Sequence, residues 1–182
     1  MKTNQIRASQ QGDLDSLCGV YSLINTVAYL YDGRVNRHRL KSTLVSSFQD
    51  KWPLEELLEY GMTEQQMEYL ITVCLRQGYY HKRYPLSFRQ PYINQKKLRT
   101  LKIIDEIEVF LQGDHIYGCR LVMLATSTHW TLVKRTDHNF LYFFDSIGAH
   151  KAFKRSFSLR AGVSLYQLIP ESIYFIERSA EM

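Results

Sequence analysis

Cysteine and proline are scarce in this chain, which has three cysteines and four prolines among its 182 residues. Three cysteines cannot form the dense disulfide framework that stabilises small secreted domains. The first residues also lack the apolar core of a secretory signal peptide. We therefore expect a cytoplasmic protein, or one that is exported without a cleavable signal peptide.

Long apolar runs are missing as well. The sequence contains no stretch of about 18 apolar residues, so no membrane span is expected. It has neither the Cys and His spacing of a zinc site nor a glycine-rich phosphate loop, so neither a metal nor a cofactor is expected. Apolar residues make up 45% and charged residues 23% of the chain. These values are typical of a globular protein, and we expect one domain over residues 1–182.

Acidic residues are absent between Tyr69 and Ile104, although the whole chain has 18 acidic and 23 basic residues and a net charge of +5. Basic side chains in this stretch, among them Lys96, Lys97 and Arg99, interleave with Tyr and Phe. Stacking against nucleic acid is one interpretation, and a solvated face with core aromatics is another. We favour a third, in which Lys96, Lys97 and Arg99 help to bind an acidic protein substrate near the active site.

The apolar periodicity changes in the middle of the chain. Helical spacing predicts helices over residues 17–31, 36–48, 54–58, 63–77 and 105–111. A loop, alone or with a short strand, is expected over 79–94, and a short strand or turn over 96–101. Strands are predicted over 120–125, 130–135, 140–144, 165–169 and 172–177. The layout is α+β, with a mainly helical half over 1–113 and an antiparallel sheet over 114–182.

Cys18 stands where a polar, turn-rich run gives way to the first predicted helix. Asp15 or Ser16 suits the N-cap, so Cys18 falls in the first turn, where unpaired N–H groups and the helix dipole favour a thiolate. Gly19 would let another group approach the sulfur closely. A free cysteine is also a common buried residue. We interpret Cys74 as such a core residue, and Cys119 as a structural residue of the first strand.

A base and a carboxylate for Cys18 are available far downstream. His129 opens one predicted strand and Asp145 closes the next, 16 residues later. Antiparallel pairing of these strands brings both side chains to the same edge of the sheet. A helix packed on that sheet, with its N-terminus at this edge, would place Cys18 beside them. A nucleophile, a base and a group that orients the base would then lie together.

These motifs resemble those of the papain-like cysteine peptidase superfamily. They are Gln11-Gly12 before the cysteine, Cys18-Gly19 opening a helix, His129-Trp130 opening a strand, and Phe144-Asp145-Ser146 closing the next. The resemblance implies a helical half packed on an antiparallel sheet, with the active site between them and Cys18, His129 and Asp145 as the catalytic residues.

The resemblance also implies the roles of several neighbours. Gln11, or else Gln10, would hold the oxyanion, although Gln11 lies one residue further from Cys18 than in the family pattern. Trp130 would shield the pair of His129 and Asp145, or simply pack in its strand. Asp145 replaces the asparagine of papain itself.

The implied function is hydrolysis of amide bonds in a protein or peptide through a thioester, as in a cysteine protease or isopeptidase. A glutamine deamidase or transglutaminase-like enzyme would use the same triad. A non-catalytic binding module that uses the basic stretch over 76–102 is a further alternative. The triad alone does not distinguish the first two, because they differ in which amide enters the cleft.

Overall fold

The computed structural model describes residues 6–12, 15–113 and 119–179, and within them the predicted α+β class is confirmed. The helices are α1 (Cys18–Leu30), α2 (Arg37–Gln49), α3 (Leu54–Tyr60), α4 (Glu64–Leu70), α5 (Gly78–Arg83) and α6 (Thr100–Gln112). The strands are β1 (Leu86–Arg89), β2 (Arg120–Ala125), β3 (Trp130–Thr136), β4 (Phe140–Phe143), β5 (Lys151–Phe153), β6 (Phe157–Ser158), β7 (Tyr166–Gln167) and β8 (Tyr174–Arg178). None of the helices in these ranges has the length and apolar character needed to cross a membrane.

Six of the strands form one sheet in the order β1-β8-β2-β3-β4-β5. Every neighbouring pair in it is antiparallel, whereas β6 and β7 form a separate parallel pair. β1 comes from the helical half of the chain and forms one edge of the sheet. A tight turn joins β3 to β4, closed by the Asp137 amide donating to the Phe140 carbonyl at 3.1 Å. The start of β3 and the end of β4 therefore meet at the same edge.

The alternation of side chains along β2 divides the core into two parts. Leu121 and Met123 belong to the cluster that contains the buried residues of α1, α2 and α4. Val122 and Leu124 belong to the cluster that contains the buried isoleucines of α6. The sheet is thus a central layer, with α1 to α5 on one face and α6 on the other.

The structure corrects several element boundaries. α6 begins at Thr100, where the sequence favoured a strand or turn up to residue 101, because Ile103 and Ile104 are buried against the sheet and extend the helix backwards. α5 occupies part of the predicted loop, where it buries Tyr80. The predicted helix over 63–77 is α4 followed by a π-helical turn over Ile71–Leu75. β5 was missed because three residues are too few for a period.

The two cysteines interpreted as structural differ in their surroundings. Cys74 is buried, as predicted, and its sulfur lies 3.3 Å from the Ser47 hydroxyl. Cys119 is exposed and precedes β2 instead of lying in it. The interpretation of Cys119 as a strand residue is therefore wrong.

The N-terminus of α4 has a capping box formed by Thr63 and Gln66. The Thr63 hydroxyl accepts from the Gln66 amide, and the Gln66 side chain accepts from the Thr63 amide at 2.8 Å. Two first-turn N–H groups are satisfied in this way.

Replacing Thr63 with Ala should lower the free energy of unfolding by about 1 kcal/mol, because one capping bond is lost. The melting temperature should then fall by roughly 2–4 °C. Thr43→Ala is the matched control, because the Thr43 hydroxyl bonds only to the Arg39 carbonyl within α2. Thermal unfolding gives the melting temperature of each variant. An equal fall in both would show that the Thr63 cap stabilises the fold no more than a hydroxyl within a helix does.

Candidate active site

Three chain segments bring Cys18, His129 and Asp145 together. Cys18 is the first residue of α1, His129 directly precedes β3, and Asp145 follows β4 by two residues. The Phe144 amide donates to the Leu132 carbonyl at 2.8 Å, so the pairing of the two strands continues to this edge. The His129 Nε2 atom lies 2.7 Å from Asp145 Oδ2. The juxtaposition predicted from the hairpin is therefore present.

The Asp145 carboxylate is buried, and both of its oxygens are hydrogen-bonded. Oδ2 accepts from the Thr131 hydroxyl at 2.6 Å and faces the ring of His129. Oδ1 accepts from the backbone amides of Ile147 at 2.8 Å and Ala149 at 3.3 Å. Burial alone would raise the pKa of Asp145, but the hydrogen bonds from His129 and Thr131 and the charge of His129 hold it below its usual range. Asp145 is therefore ionised at neutral pH.

His129 has Asp145 on one ring nitrogen and Cys18 on its other side. Because Nε2 faces the carboxylate, Nδ1 is the ring nitrogen left for the Cys18 thiol, which lies close enough to contribute to the pKa of the ring. Burial alone would lower the pKa of His129. The hydrogen bonds to Asp145 and Cys18, and the charges of both, outweigh burial and raise the pKa to about 9. The ring is consequently an imidazolium at neutral pH.

The sulfur of Cys18 lies among hydrogen-bond donors. The Trp130 amide donates to it at 3.5 Å. Cys18 and Gly19 are the first two residues of α1, so no carbonyl of the helix accepts from their N–H groups. The sulfur also lies 3.9 Å from the Ser16 carbonyl, to which the thiol donates. The donors and the imidazolium would stabilise negative charge that develops on the sulfur.

The start of α1 differs in detail from the sequence prediction. The N-cap is Leu17, without a side-chain cap, so the assignment of Asp15 or Ser16 to that position is wrong. Asp15 bonds instead to the N-cap residue itself, because its Oδ1 accepts from the Leu17 amide at 3.1 Å. A Cβ on Gly19 would lie 3.1 Å from the Cβ of Met62. The missing side chain thus makes room for the Met62 segment rather than for a group that approaches the sulfur.

The structure distinguishes the two candidate glutamines. Gln11 lines the same cleft as Cys18 and His129, and its Nε2 donates to the Asp15 carbonyl at 3.2 Å, which uses one of its two N–H groups. Its Oε1 accepts from the Ser146 hydroxyl at 3.2 Å. Gln10 donates instead to the Asp145 carbonyl at 3.0 Å and does not line the cleft. Gln11 is therefore the glutamine whose amide can reach a group bound beside the sulfur.

Trp130 has a packing role. Its side chain is buried in the core that contains α1, and its indole N–H donates to the Met62 carbonyl at 2.7 Å. That bond joins the start of β3 to the segment that forms the facing wall of the cleft. The carboxylate of Asp145 is hydrogen-bonded to Thr131 and to backbone amides, and the shielding role expected for Trp130 stays a prediction.

The cleft beside Cys18 has a volume of about 320 Å³. Residues 60–64 form one wall and residues 125–130 form the other, with Gln11 and Asp15 at one end. The described lining includes the carboxylates of Asp15 and Glu64 and one cation, the His129 imidazolium, without Lys or Arg. This charge pattern suits a neutral or cationic group beside the thiol and disfavours an acidic one.

Lys96, Lys97 and Arg99 do not line this cleft. Arg99 lines a different groove, beside α6, and Lys96 and Lys97 precede it in an exposed bend. The sheet separates α6 from α1, so these cations lie on the other side of the sheet from Cys18. Their predicted place near the active site is therefore wrong.

Sequence reasoning missed two contributors to the site. Thr131 lies two residues after His129, and side chains two apart on a strand share a face, so the pattern His-x-Thr was a usable signal. No sequence pattern could have predicted the hydrogen bond from the Trp130 backbone amide to the sulfur, because almost every residue type has a backbone N–H. Within the described residues, no group of three or more His, Cys, Asp or Glu side chains could hold a metal ion.

Comparisons of the chain with models of known protein families, with curated proteins and with solved structures found no match. A function for the chain therefore has to follow from the chemistry of its own residues.

Replacing Asp145 with Asn should lower the pKa of His129 from about 9, because the charge that favours the imidazolium is removed while burial remains. Because the folded pKa exceeds the unfolded value near 6.5, the pair stabilises the parent fully below pH 6.5. That stabilisation should be lost as the pH rises from about 6.5 through about 9. NMR titration of the ring and unfolding against pH measure both effects. Asp137→Asn, in the exposed turn, is the control, and an unchanged titration after Asp145→Asn would contradict the assignment.

Iodoacetamide at pH 6 should modify Cys18 before Cys74 and Cys119, with the sites identified by peptide mass mapping. The imidazolium of His129 stabilises the Cys18 thiolate, whereas a thiol without such a partner stays mostly protonated at this pH. In His129→Ala the order should reverse, and the exposed Cys119 should react first. Faster labelling of Cys119 in the parent protein would be evidence against an activated Cys18.

Proposed function

We propose that this protein is a papain-like thiol hydrolase that cleaves amide bonds of a protein or peptide substrate. The observation that carries the proposal is the position of the His129 ring between the Asp145 carboxylate and the Cys18 thiol, beside a cleft. The arrangement of the chain supports the papain-like assignment. Cys18 opens a helix packed on an antiparallel sheet, and His129 and Asp145 follow in that order on adjacent strands.

Acylation begins from the ion pair of Cys18 and His129. The thiol proton moves to Nδ1 of His129, and the thiolate attacks the carbonyl carbon of the substrate. A C–S bond forms, and the carbonyl π electrons move to oxygen. The backbone N–H of Cys18 and the second N–H of the Gln11 amide donate to this oxyanion. Both donors are at the cleft before the charge appears, so little reorganisation is needed.

The intermediate then collapses to a thioester. The oxyanion electrons re-form the carbonyl, the C–N bond breaks, and the leaving amine takes the proton from Nδ1 of His129. Neutral His129 next accepts a proton from a water that attacks the thioester carbon. Breaking the C–S bond releases the carboxylic acid, and the sulfur regains the proton from His129.

Asp145 acts through His129 and is therefore a positioning residue. Its Oδ2 bond to Nε2 keeps Nδ1 directed at the sulfur and stabilises the imidazolium. Because papain itself has Asn at this position, the resemblance implied that Asn would be tolerated. The geometry favours the opposite result, because an amide oxygen facing His129 would leave the NH₂ group against the donating amides of Ile147 and Ala149.

A glutamine deamidase is a second candidate, and the small cleft favours it. A volume of about 320 Å³ is at the lower end of the range for ligand pockets. Such a space suits a single amide side chain, or the end of a chain, better than a long extended peptide. The chemistry of acylation is the same, with ammonia as the leaving group.

Intact mass spectrometry of a panel of candidate substrates separates the two functions. A hydrolase that cuts the chain gives fragments, whereas deamidation raises the mass by about 1 Da per site because OH replaces NH₂. Cys18→Ala is the control for both. If no substrate in the panel changes mass although the Cys18 thiol is reactive, the result excludes only those substrates. Hydrolysis by the site is therefore also measured on a generic ester.

Turnover of p-nitrophenyl acetate should fall at least about 100-fold in Cys18→Ala and His129→Ala. Asp145→Asn should lose about as much activity as Asp145→Ala, and Asp137→Asn should match the parent. The activity should decline on the alkaline side as His129 loses its proton near pH 9, because the ion pair is then broken. Full turnover in His129→Ala, with the fold intact, would rule out the proposed mechanism.

A further inference from the structure

A second cavity within the described residues lies on the face of the sheet opposite Cys18. This α6 groove has a volume of about 1330 Å³ and is bounded by α6, the segment 89–99 and the loop 158–160. It contains none of the catalytic candidates. Its volume is about four times that of the cleft beside Cys18, and the proposed catalysis does not use it.

The groove follows one face of α6 along the whole helix. Lys102, Asp105, Glu106, Val109 and Phe110 line it at spacings of three and four residues, which places them on a single helical face. The isoleucines of α6 are buried toward the sheet on another face. A helix of 13 residues is about 20 Å long, and an extended peptide of about six residues covers that length.

The wall of the groove carries stacked aromatic rings with cations on their faces. Phe110 and Phe175 stack with their centroids 4.6 Å apart. The Arg89 guanidinium lies 5.0 Å from the Phe175 centroid, and that of Arg120 lies 4.8 Å from the Phe110 centroid. Val109 is 72% exposed beside them. An apolar side chain of a ligand would find contacts here that the chain itself does not provide.

The charge of the groove is positive. Among the described residues, Arg89, Arg99 and Arg160 line it without an ion-pair partner. Two further cations in it are paired, Arg120 with Glu177 at 2.9 Å and Lys102 with Glu106 at 3.7 Å. Asp105 is the one lining carboxylate that has no cation paired with it in the described part of the chain. Among the described lining residues, three guanidinium groups and one carboxylate have no ion-pair partner, so the net charge of the groove is positive.

We propose that the α6 groove binds an acidic segment of another protein in extended form, with apolar side chains between its carboxylates. The guanidinium groups of Arg99 and Arg160 pair with the carboxylates, and the apolar side chains pack against the exposed side chains of Leu101 and Val109. A nucleic acid fits less well, because its regularly spaced phosphates would lie against Asp105 and Glu106. Binding does not involve Cys18, so it is independent of the proposed catalysis.

The test measures fluorescence anisotropy of labelled peptides of about eight residues with the full chain carrying Cys18→Ala, which prevents turnover. One peptide alternates Glu and Asp with Leu and Phe, and a second has Lys at every acidic position. The acidic peptide should bind with an affinity that falls as salt rises, and the basic peptide should not bind. A single-stranded oligonucleotide of equal charge is the third probe, and tighter binding of that probe would overturn the proposal.

Paired variants test the location. Arg99→Ser with Arg160→Ser should weaken binding of the acidic peptide about fivefold or more. Lys82→Ser with Arg83→Ser removes the same charge from the exposed end of α5, outside the groove, and should have little effect. Equal losses in the two double variants would mean a general attraction to a basic protein and would overturn the proposal, as would the absence of any binding.

A second pair of variants tests the apolar contact. Leu101 and Leu165 are each 76% exposed, but only Leu101 lines the groove. Leu101→Ser should weaken binding of the acidic peptide about threefold or more, since apolar contact area is lost, whereas Leu165→Ser should leave it unchanged. Equal affinity of the two variants would contradict a groove that recognises apolar side chains.

Discussion

The buried carboxylate of Asp145 is the constraint on which the rest of the site depends. An ionised group inside a protein is costly unless its lone pairs are all used. Here Thr131 and His129 occupy one oxygen, and two backbone amides occupy the other. The loop after β4 must therefore fold back to supply its amides before the charge can be buried. Once it has done so, the ring of His129 has one low-energy orientation, and Nδ1 faces the sulfur.

The chain separates its two charge patterns with the sheet. In the described part of the chain, two carboxylates and the His129 imidazolium line the cleft beside Cys18, without Lys or Arg, whereas three arginines without an ion-pair partner line the α6 groove. A net charge of +5 therefore does not describe either surface. A substrate that is acidic overall would meet two surfaces of different charge. Under the two proposals, such a protein would be attracted to the α6 groove, and the bond that is hydrolysed would lie in a neutral or basic segment, because Asp15 and Glu64 repel carboxylates from the thiol.

The pairing of His129 with Asp145 could be predicted from the sequence because it depends on two strong signals, a short turn and two β-rich runs. Antiparallel pairing then leaves little freedom in where the two side chains lie. The position of Lys96, Lys97 and Arg99 could not be predicted in this way. A run of cations without acids shows that a segment is solvated, but the face of the sheet on which it lies is decided by the packing of α6. The stripe of Ile103, Ile104 and Ile107 decides that packing, and helical signals are weakest at the start of a helix that lacks a side-chain cap.

The contacts at the sulfur depend on tertiary structure throughout. The Trp130 amide reaches Cys18 only when α1 is packed on β3, and Gln11 reaches the cleft only when its backbone amide is bonded to the Ser146 carbonyl at 3.0 Å. Asn25, buried in α1, holds the same segment through Ser9 at 2.7 Å. The nucleophile, the proposed oxyanion donor and the base thus come from segments that share no local structure. The groups that surround the sulfur are therefore assembled only when the chain has folded, and no short stretch of the sequence contains the site.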